Sequence, residues 1–193
     1  RLRWEHPLRL RSAAERNAEY TEIYGLTRHL LTNYNHSGKS FYLGHWEGDW
    51  YLISPANTAV NPSPTAIRGM IDWLNTRQQA VDDARREVPH SNVFVYAYAE
   101  CNRVRDAMLN PPTSNQRVVN AVLPGVTNLD YVSWSSYDGM NLAAPDLEAT
   151  LDYLQAHLST NKAAALPGKR VIIGEYGWGG SLPAAAQEAP TRA

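Results

Sequence analysis

The amino-acid sequence predicts an α/β fold of the (β/α)8 TIM-barrel type, incomplete, with about four parallel strands alternating with helices. Three observations carry this expectation. Apolar β-branched runs alternate with segments of helical periodicity, the order of a parallel sheet with helices outside it. Each run ends in polar or acidic residues, whereas an open doubly wound sheet concentrates such groups at one switch point. No Gly-x-Gly-x-x-Gly loop follows a strand, so the dinucleotide signature of an oxidoreductase is missing. A complete barrel takes roughly 250 residues. The 193 residues here supply about half the strands and read as a single partial barrel domain, 1–193. Residues 1–11 are expected to form a loop and 181–193 an irregular tail. The two ends of such a piece leave sheet edges unpaired, which predicts poor behaviour in isolation.

Along the chain, Ser12 precedes Glu15 at capping-box spacing. Ile23, Thr27, Leu30, Leu31 and Tyr34 follow at helical spacing, predicting a helix over about 13–34. Ser37-Gly38-Lys39-Ser40 is a turn, and Phe41–Trp46 is the first strand. A loop rich in Pro, Asn and Ser over 54–64 leads to Ser63, which can cap a helix with Pro64 in its first turn. Ile67, Ile71, Leu74 and Val81 lie along one face of that helix, which runs to about Glu87 and stops before Pro89. Val93–Ala99 is the second strand, ending in Glu100, and a short helix is expected over about 114–123. Leu129–Ser135 is the third strand, ending near Ser136-Tyr137-Asp138-Gly139. Leu147, Leu151, Leu154 and Leu158 mark the next helix, and Pro167-Gly168 turns the chain into the strand Val171–Gly174.

The apolar fraction of 44% and charged fraction of 19% indicate a globular chain. A net charge of -1, with both signs dispersed, argues against nucleic acid or a membrane surface as partner. No apolar run reaches bilayer length, and Arg1-Leu2-Arg3-Trp4 is followed by no apolar signal-peptide region. The compartment stays open between secreted and cytoplasmic. The single cysteine, Cys101, excludes an internal disulfide and a Cys-rich zinc site. Six Trp and eleven Tyr against two Phe is an unusual balance, suited both to half-buried cores and to platforms on which sugars stack.

The chemistry concentrates in two stretches. Val171-Ile172-Ile173-Gly174-Glu175-Tyr176-Gly177-Trp178 is a strand ending in an acid flanked by glycines and a tryptophan. Gly44-His45-Trp46-Glu47-Gly48-Asp49-Trp50 is similar. Two strand ends, each offering a carboxylate beside tryptophans, suit cleavage of a glycosidic bond. Alternation places Leu43, His45, Glu47 and Asp49 on one strand face if the strand continues. It likewise groups Val171, Ile173 and Glu175, and Phe94, Tyr96, Tyr98, Glu100 and Asn102. These sets are expected to point into the barrel. A bland alternative makes Glu175 a salt-bridged strand end, Glu47 a turn acid and Glu100 a partner of Arg103. Trp134 is equally well a core residue or a stacking platform.

The order of strand-end groups resembles that of the clan A retaining glycoside hydrolases, over about residues 13–180. The resemblance rests on Gly174-Glu175-Tyr176-Gly177 and on the spacing of Glu47, Tyr137 and Glu175. It implies a (β/α)8 barrel whose fourth to seventh strands are seen here. It implies Glu47 as acid/base, Glu175 as nucleophile and Tyr137 as the residue orienting the nucleophile. It also implies no cofactor and an oligosaccharide, polysaccharide or glycoside substrate. Trp46 stands where clan members carry Asn, so His45, Glu100 or Asn102 would replace that contact. Trp46, Asp49, Trp50 and Trp178 complete the expected substrate-binding set. Two other readings remain: a metal-dependent hydrolase using His45, Glu47 and Asp49, although three close residues on one strand rarely surround an ion, and a non-catalytic carbohydrate-binding barrel.

Overall fold

The computed structural model describes residues 9–53, 57–162, 165–166 and 168–177. The expected tail over 181–193, most of the first loop and Pro167 lie outside the described residues. Helix α1 spans Ala13–Asn33 and starts as its sequence dictates. Ser12 Oγ accepts from the Glu15 N–H at 3.2 Å, while the Glu15 carboxylate accepts from the Ser12 N–H at 2.8 Å. Strand β1, Ser40–Leu43, is shorter than expected, and a five-residue helix α2, Gly48–Leu52, follows it. Helix α3, Pro64–Glu87, begins with Ser63 Oγ accepting from the Ala66 N–H at 3.1 Å. It ends at Val88, whose extended backbone is what a residue before proline prefers.

Strand β2 is Phe94–Cys101, and the short helix α4 is Val104–Leu109. In place of the helix expected over 114–123 stand a π-helical turn, Val118–Val122, and a 3-10 turn, Leu123–Gly125. Pro124 supplies no N–H, so a regular helix cannot continue through it. Strand β3, Tyr131–Ser135, leads into a 3-10 turn, Ser136–Gly139. Helix α5, Ala144–Ala156, and strand β4, Val171–Glu175, complete the alternation. No helix among the described residues is long and apolar enough to cross a membrane.

The four strands are parallel, in the order β1-β2-β3-β4, in a sheet curled as half a barrel. Its convex face is buried along β2 and β3. Val95, Ala97, Ala99, Cys101, Val132 and Trp134 are buried there beneath Trp73, Leu74, Val81, Leu154 and their neighbours. The concave face carries Tyr42, Tyr96 and Tyr131, with ring centroids 5.2–5.4 Å apart. The face expected for β2 is therefore the observed one.

Two expectations about side-chain direction are corrected. Leu43 packs in the helix-side core rather than pointing inward, and β1 ends there, so its alternation does not carry on to His45, Glu47 and Asp49. On β4, Val171 packs against the helix-side core and Ile173 pairs with the outward Trp134. A bulge between Trp134 and Ser135 then sets Glu175, not Gly174, opposite Ser135. A bulge of this kind re-aims the side chains that follow it. Glu175 thus reaches the concave side although Val171 and Ile173 do not.

The opposite end of the sheet is tied by charge. Asp130, fully buried ahead of β3, accepts from Arg85 at 3.1 Å, Lys162 at 2.8 Å, Gln78 at 3.1 Å and the Ala97 N–H at 2.9 Å. Burial alone would raise its pKa; the Arg85 and Lys162 charges outweigh it and hold the carboxyl below its ordinary value. Stability from this group is present above the unfolded carboxyl pKa and is lost as pH falls through the lower folded one. Asp130→Ala leaves Arg85 and Lys162 with Asp82 as their remaining acid but strips the Gln78 amide and the Ala97 N–H of this acceptor, and is expected to cost about 1–3 kcal/mol, read as a lower urea midpoint.

Candidate active site

The C-terminal ends of β1, β2, β3 and β4 surround a cleft of about 340 Å³. Its walls are Gly44, His45 and Trp46 after β1, Tyr98 and Glu100 of β2, Ser133 of β3, and Gly174 and Glu175 of β4. Close approach marks two of these points. A Cβ on Gly44 would overlap the Tyr98 ring, and one on Gly174 would displace the Ser133 hydroxyl from its position.

Glu175 ends β4, half-buried. Ser136 Oγ donates to its carbonyl at 3.2 Å, and the Tyr137 hydroxyl lies near its carboxylate. Both residues sit in the turn after β3. That turn is locked by Asp138, whose carboxylate accepts from the Trp134 indole at 3.0 Å and the Arg105 N–H at 3.1 Å. Burial and the Glu175 charge together raise the pKa of Tyr137, so its hydroxyl stays protonated beside that carboxylate.

Glu47 immediately precedes α2, with φ 62° and ψ 46°, the left-handed region that non-glycine residues seldom occupy. Burial first, then the negative charge on Glu175, raises its carboxyl pKa. A neighbouring anion disfavours a second anion, so the Glu175 charge adds to burial in favouring the protonated form of Glu47. The Gly48 site explains why α2 can sit so close to β2. A Cβ there would overlap the Glu100 carbonyl oxygen and approach His45 Nε2 to 2.8 Å. Gly48→Ala is expected to cost about 1–3 kcal/mol by overpacking against immobile backbone, measurable by chemical denaturation.

The remaining sequence-derived candidates divide. Trp46 lines the cleft with its ring 62% exposed, open to stacking. His45 also lines it, but the ring is buried edge-on to Trp73 at 5.2 Å with neither nitrogen hydrogen-bonded. Burial, with Arg77 nearby, lowers its pKa to about 3, so the imidazole is neutral at neutral pH. Asp49 is not at the cleft. It is fully buried and accepts from the backbone N–H groups of Asn102 at 2.7 Å, Arg103 at 3.0 Å and Val118 at 2.8 Å. Asn102 is likewise turned to structure, its Oδ1 accepting from the Asp49 N–H at 3.0 Å. Trp50 lies under the Arg103 guanidinium, 5.9 Å from its ring centroid, away from the cleft walls. Trp134 is a core residue at 0% exposure, and Trp178 lies outside the described residues.

Glu100 is the third acid of the rim, 3% exposed. Its carboxylate is taken up by protein partners: the Glu47 N–H at 2.9 Å, Ser135 Oγ, and Asn102 Nδ2 at 3.4 Å. Burial is the main reason its pKa is raised, opposed by the Ser135 and Glu47 hydrogen bonds. Sequence reasoning did not single out Tyr98, Ser133 and Ser135 as site residues. The signal for Tyr98 was present, since it stands two residues before Glu100 on the same strand face. Comparison with protein-family models, curated proteins and solved structures found no match for this chain.

Proposed function

We propose that the protein is a glycoside hydrolase that cleaves O-glycosidic bonds with retention at the anomeric carbon. In this reading the half-barrel is the fourth-to-seventh strand portion of a (β/α)8 barrel, the substrate an oligosaccharide, polysaccharide or glycoside, and the active site the cleft at the strand ends. The observation that carries it is the placing of two glutamates at the C-terminal ends of the two edge strands, near enough that the charge on Glu175 adds to burial in raising the pKa of Glu47.

The steps of this reading use Glu47 as the acid whose pKa is raised. The Glu175 carboxylate attacks the anomeric carbon as Glu47 gives its proton to the departing glycosidic oxygen. The C–O bond breaks and a glycosyl ester of Glu175 forms. Esterification removes the Glu175 charge, the smaller of the two causes that raise the Glu47 pKa, so Glu47 ionises more readily and now serves as base. It takes a proton from water, the water oxygen attacks the anomeric carbon, and Glu175 leaves as carboxylate. The mechanism requires carboxyl groups roughly 5–5.5 Å apart; an inverting enzyme spaces them at about 6.5–9.5 Å.

The metal-hydrolase alternative loses its ligand set. His45 is packed on Trp73 and Asp49 is bonded to three backbone N–H groups. Among the described residues no three or more His, Cys, Asp and Glu side chains group around a possible ion position. The anomer first released by the full-length protein, followed by proton NMR on a glycoside panel, tests the proposal. Retention is expected; inversion removes the double displacement. Binding of sugar without turnover favours the non-catalytic barrel.

A further inference from the structure

Glu100 is the buried acid that the mechanism above does not use. Its position explains a feature that the mechanism leaves unexplained, the left-handed backbone of Glu47. A residue at a helix N-cap ordinarily has extended backbone and a short polar side chain that caps the first turn. Glu47 has neither: φ is 62°, and its side chain makes no capping hydrogen bond. Something outside the segment must hold that conformation, since such strain persists only where the surroundings over-determine it.

We propose that Glu100 is a positioning residue whose carboxylate grips the Glu47 backbone N–H and Ser135 Oγ together, and so fixes the backbone from which the Glu47 side chain projects. The inference rests on the hydrolase reading for its catalytic consequence, though not for its geometry. One oxygen accepts from the Glu47 N–H at 2.9 Å. The other accepts from Ser135 Oγ and, at 3.4 Å, from Asn102 Nδ2. Ser135 is the residue opposite Glu175 across the β3–β4 bulge. The one carboxylate therefore joins the backbone carrying Glu47 to the strand against which Glu175 is registered. Three of its roughly four acceptor positions are occupied, which leaves little for a substrate hydroxyl. Asp49 braces the same junction from below, joining α2 to the Asn102 and Arg103 N–H groups just past β2.

Glu100→Gln and Glu100→Ala in the full-length protein separate positioning from substrate binding. Glutamine keeps a carbonyl oxygen for the Glu47 N–H; alanine keeps none. The expected result is kcat within about 10-fold of wild type for Gln and about 10²-fold lower for Ala, the scale of a 1 Å misplacement, with KM nearly unchanged in both. Hydrogen exchange gives a readout independent of activity. The Glu47 amide is expected to be protected in wild type and Gln, and to lose at least about 10-fold of that protection in Ala, while the Val132 amide is unaffected. An unprotected Glu47 amide in wild type overturns the proposal even if the Ala variant fails to fold. So does a rise in KM at constant kcat, which would make Glu100 a substrate ligand, or a Gln variant as impaired as Ala. A protected amide with no wild-type turnover on any glycoside removes the hydrolase reading and leaves the brace standing.

Discussion

Glu175→Gln in the full-length protein is expected to lower kcat by about 10⁴-fold or more, the scale seen when a catalytic nucleophile is removed. Glutamine has nearly the same shape, so the Tyr137 hydroxyl and the Ser136 contact to the residue 175 carbonyl can persist. What is lost is an anion able to form an ester with the sugar. Substrate binding should survive within a few-fold, because the cleft wall built from Trp46, Tyr98 and Ser133 is untouched. The same substitution makes a second, independent prediction. Without the charge at position 175 the pKa of Glu47 should fall, since that charge is one of the two causes that raise it. A carbon-detected NMR titration of Glu47 in wild type and variant measures this directly. An unchanged Glu47 titration would mean that the two carboxyls are not coupled.

Glu47→Gln carries the next largest effect. General acid–base catalysis contributes about 10²–10⁴-fold, so kcat should fall by that order on glycosides whose leaving group needs a proton. On glycosides with an acidic phenol as leaving group the first step needs no proton and should remain fast. The glycosyl ester of Glu175 should then accumulate, because no base activates water, and an anionic nucleophile such as azide should restore turnover. The wild-type pH profile follows from the same pKa. Glu47 must be protonated for the first step, so activity falls on the alkaline side as it ionises, at a pH above the ordinary glutamic acid value because its pKa is raised. The alkaline limb should vanish in Glu47→Gln. Raised pKa also sets the sign for stability: the folded state favours the protonated form, so the group's contribution is present at low pH and declines as pH rises through its folded pKa.

Much of the scaffold was legible in the sequence. The Ser12–Glu15 capping box, the Ser63-Pro64 start and the Pro89 stop are local signals, and each reads the same in the structure. The strand cores are long β-branched runs, and their parallel order follows from the helices between them. What was not legible depends on tertiary contact. Helices α2 and α4 have five and six residues, too few to show a 3.6-residue period. Extending β1 through Asp49 assumed a regular strand, whereas the chain leaves the sheet at Gly44, under the Tyr98 ring. A regular strand would turn Asp49 to the substrate, whereas its carboxylate serves three backbone N–H groups from segments distant in the chain. The bulge that turns Glu175 inward is visible only once β3 and β4 are paired, although Gly174 marks the place. Glu47 and Glu175 are candidates from residue type and spacing, and Tyr137 from the resemblance. The hydrogen bond from the Glu47 N–H to Glu100 joins segments far apart in the chain and leaves no mark in the sequence.

The most direct measurement is covalent capture. The full-length protein would be incubated with the 2-deoxy-2-fluoro glycosyl fluoride of whichever sugar it releases, then digested and sequenced by mass spectrometry. A single fluorosugar attached to the Glu175 carboxyl, absent in Glu175→Gln, is the result the double displacement requires. Attachment at any other residue, or turnover of the matching ordinary glycoside with no adduct at all, would contradict it.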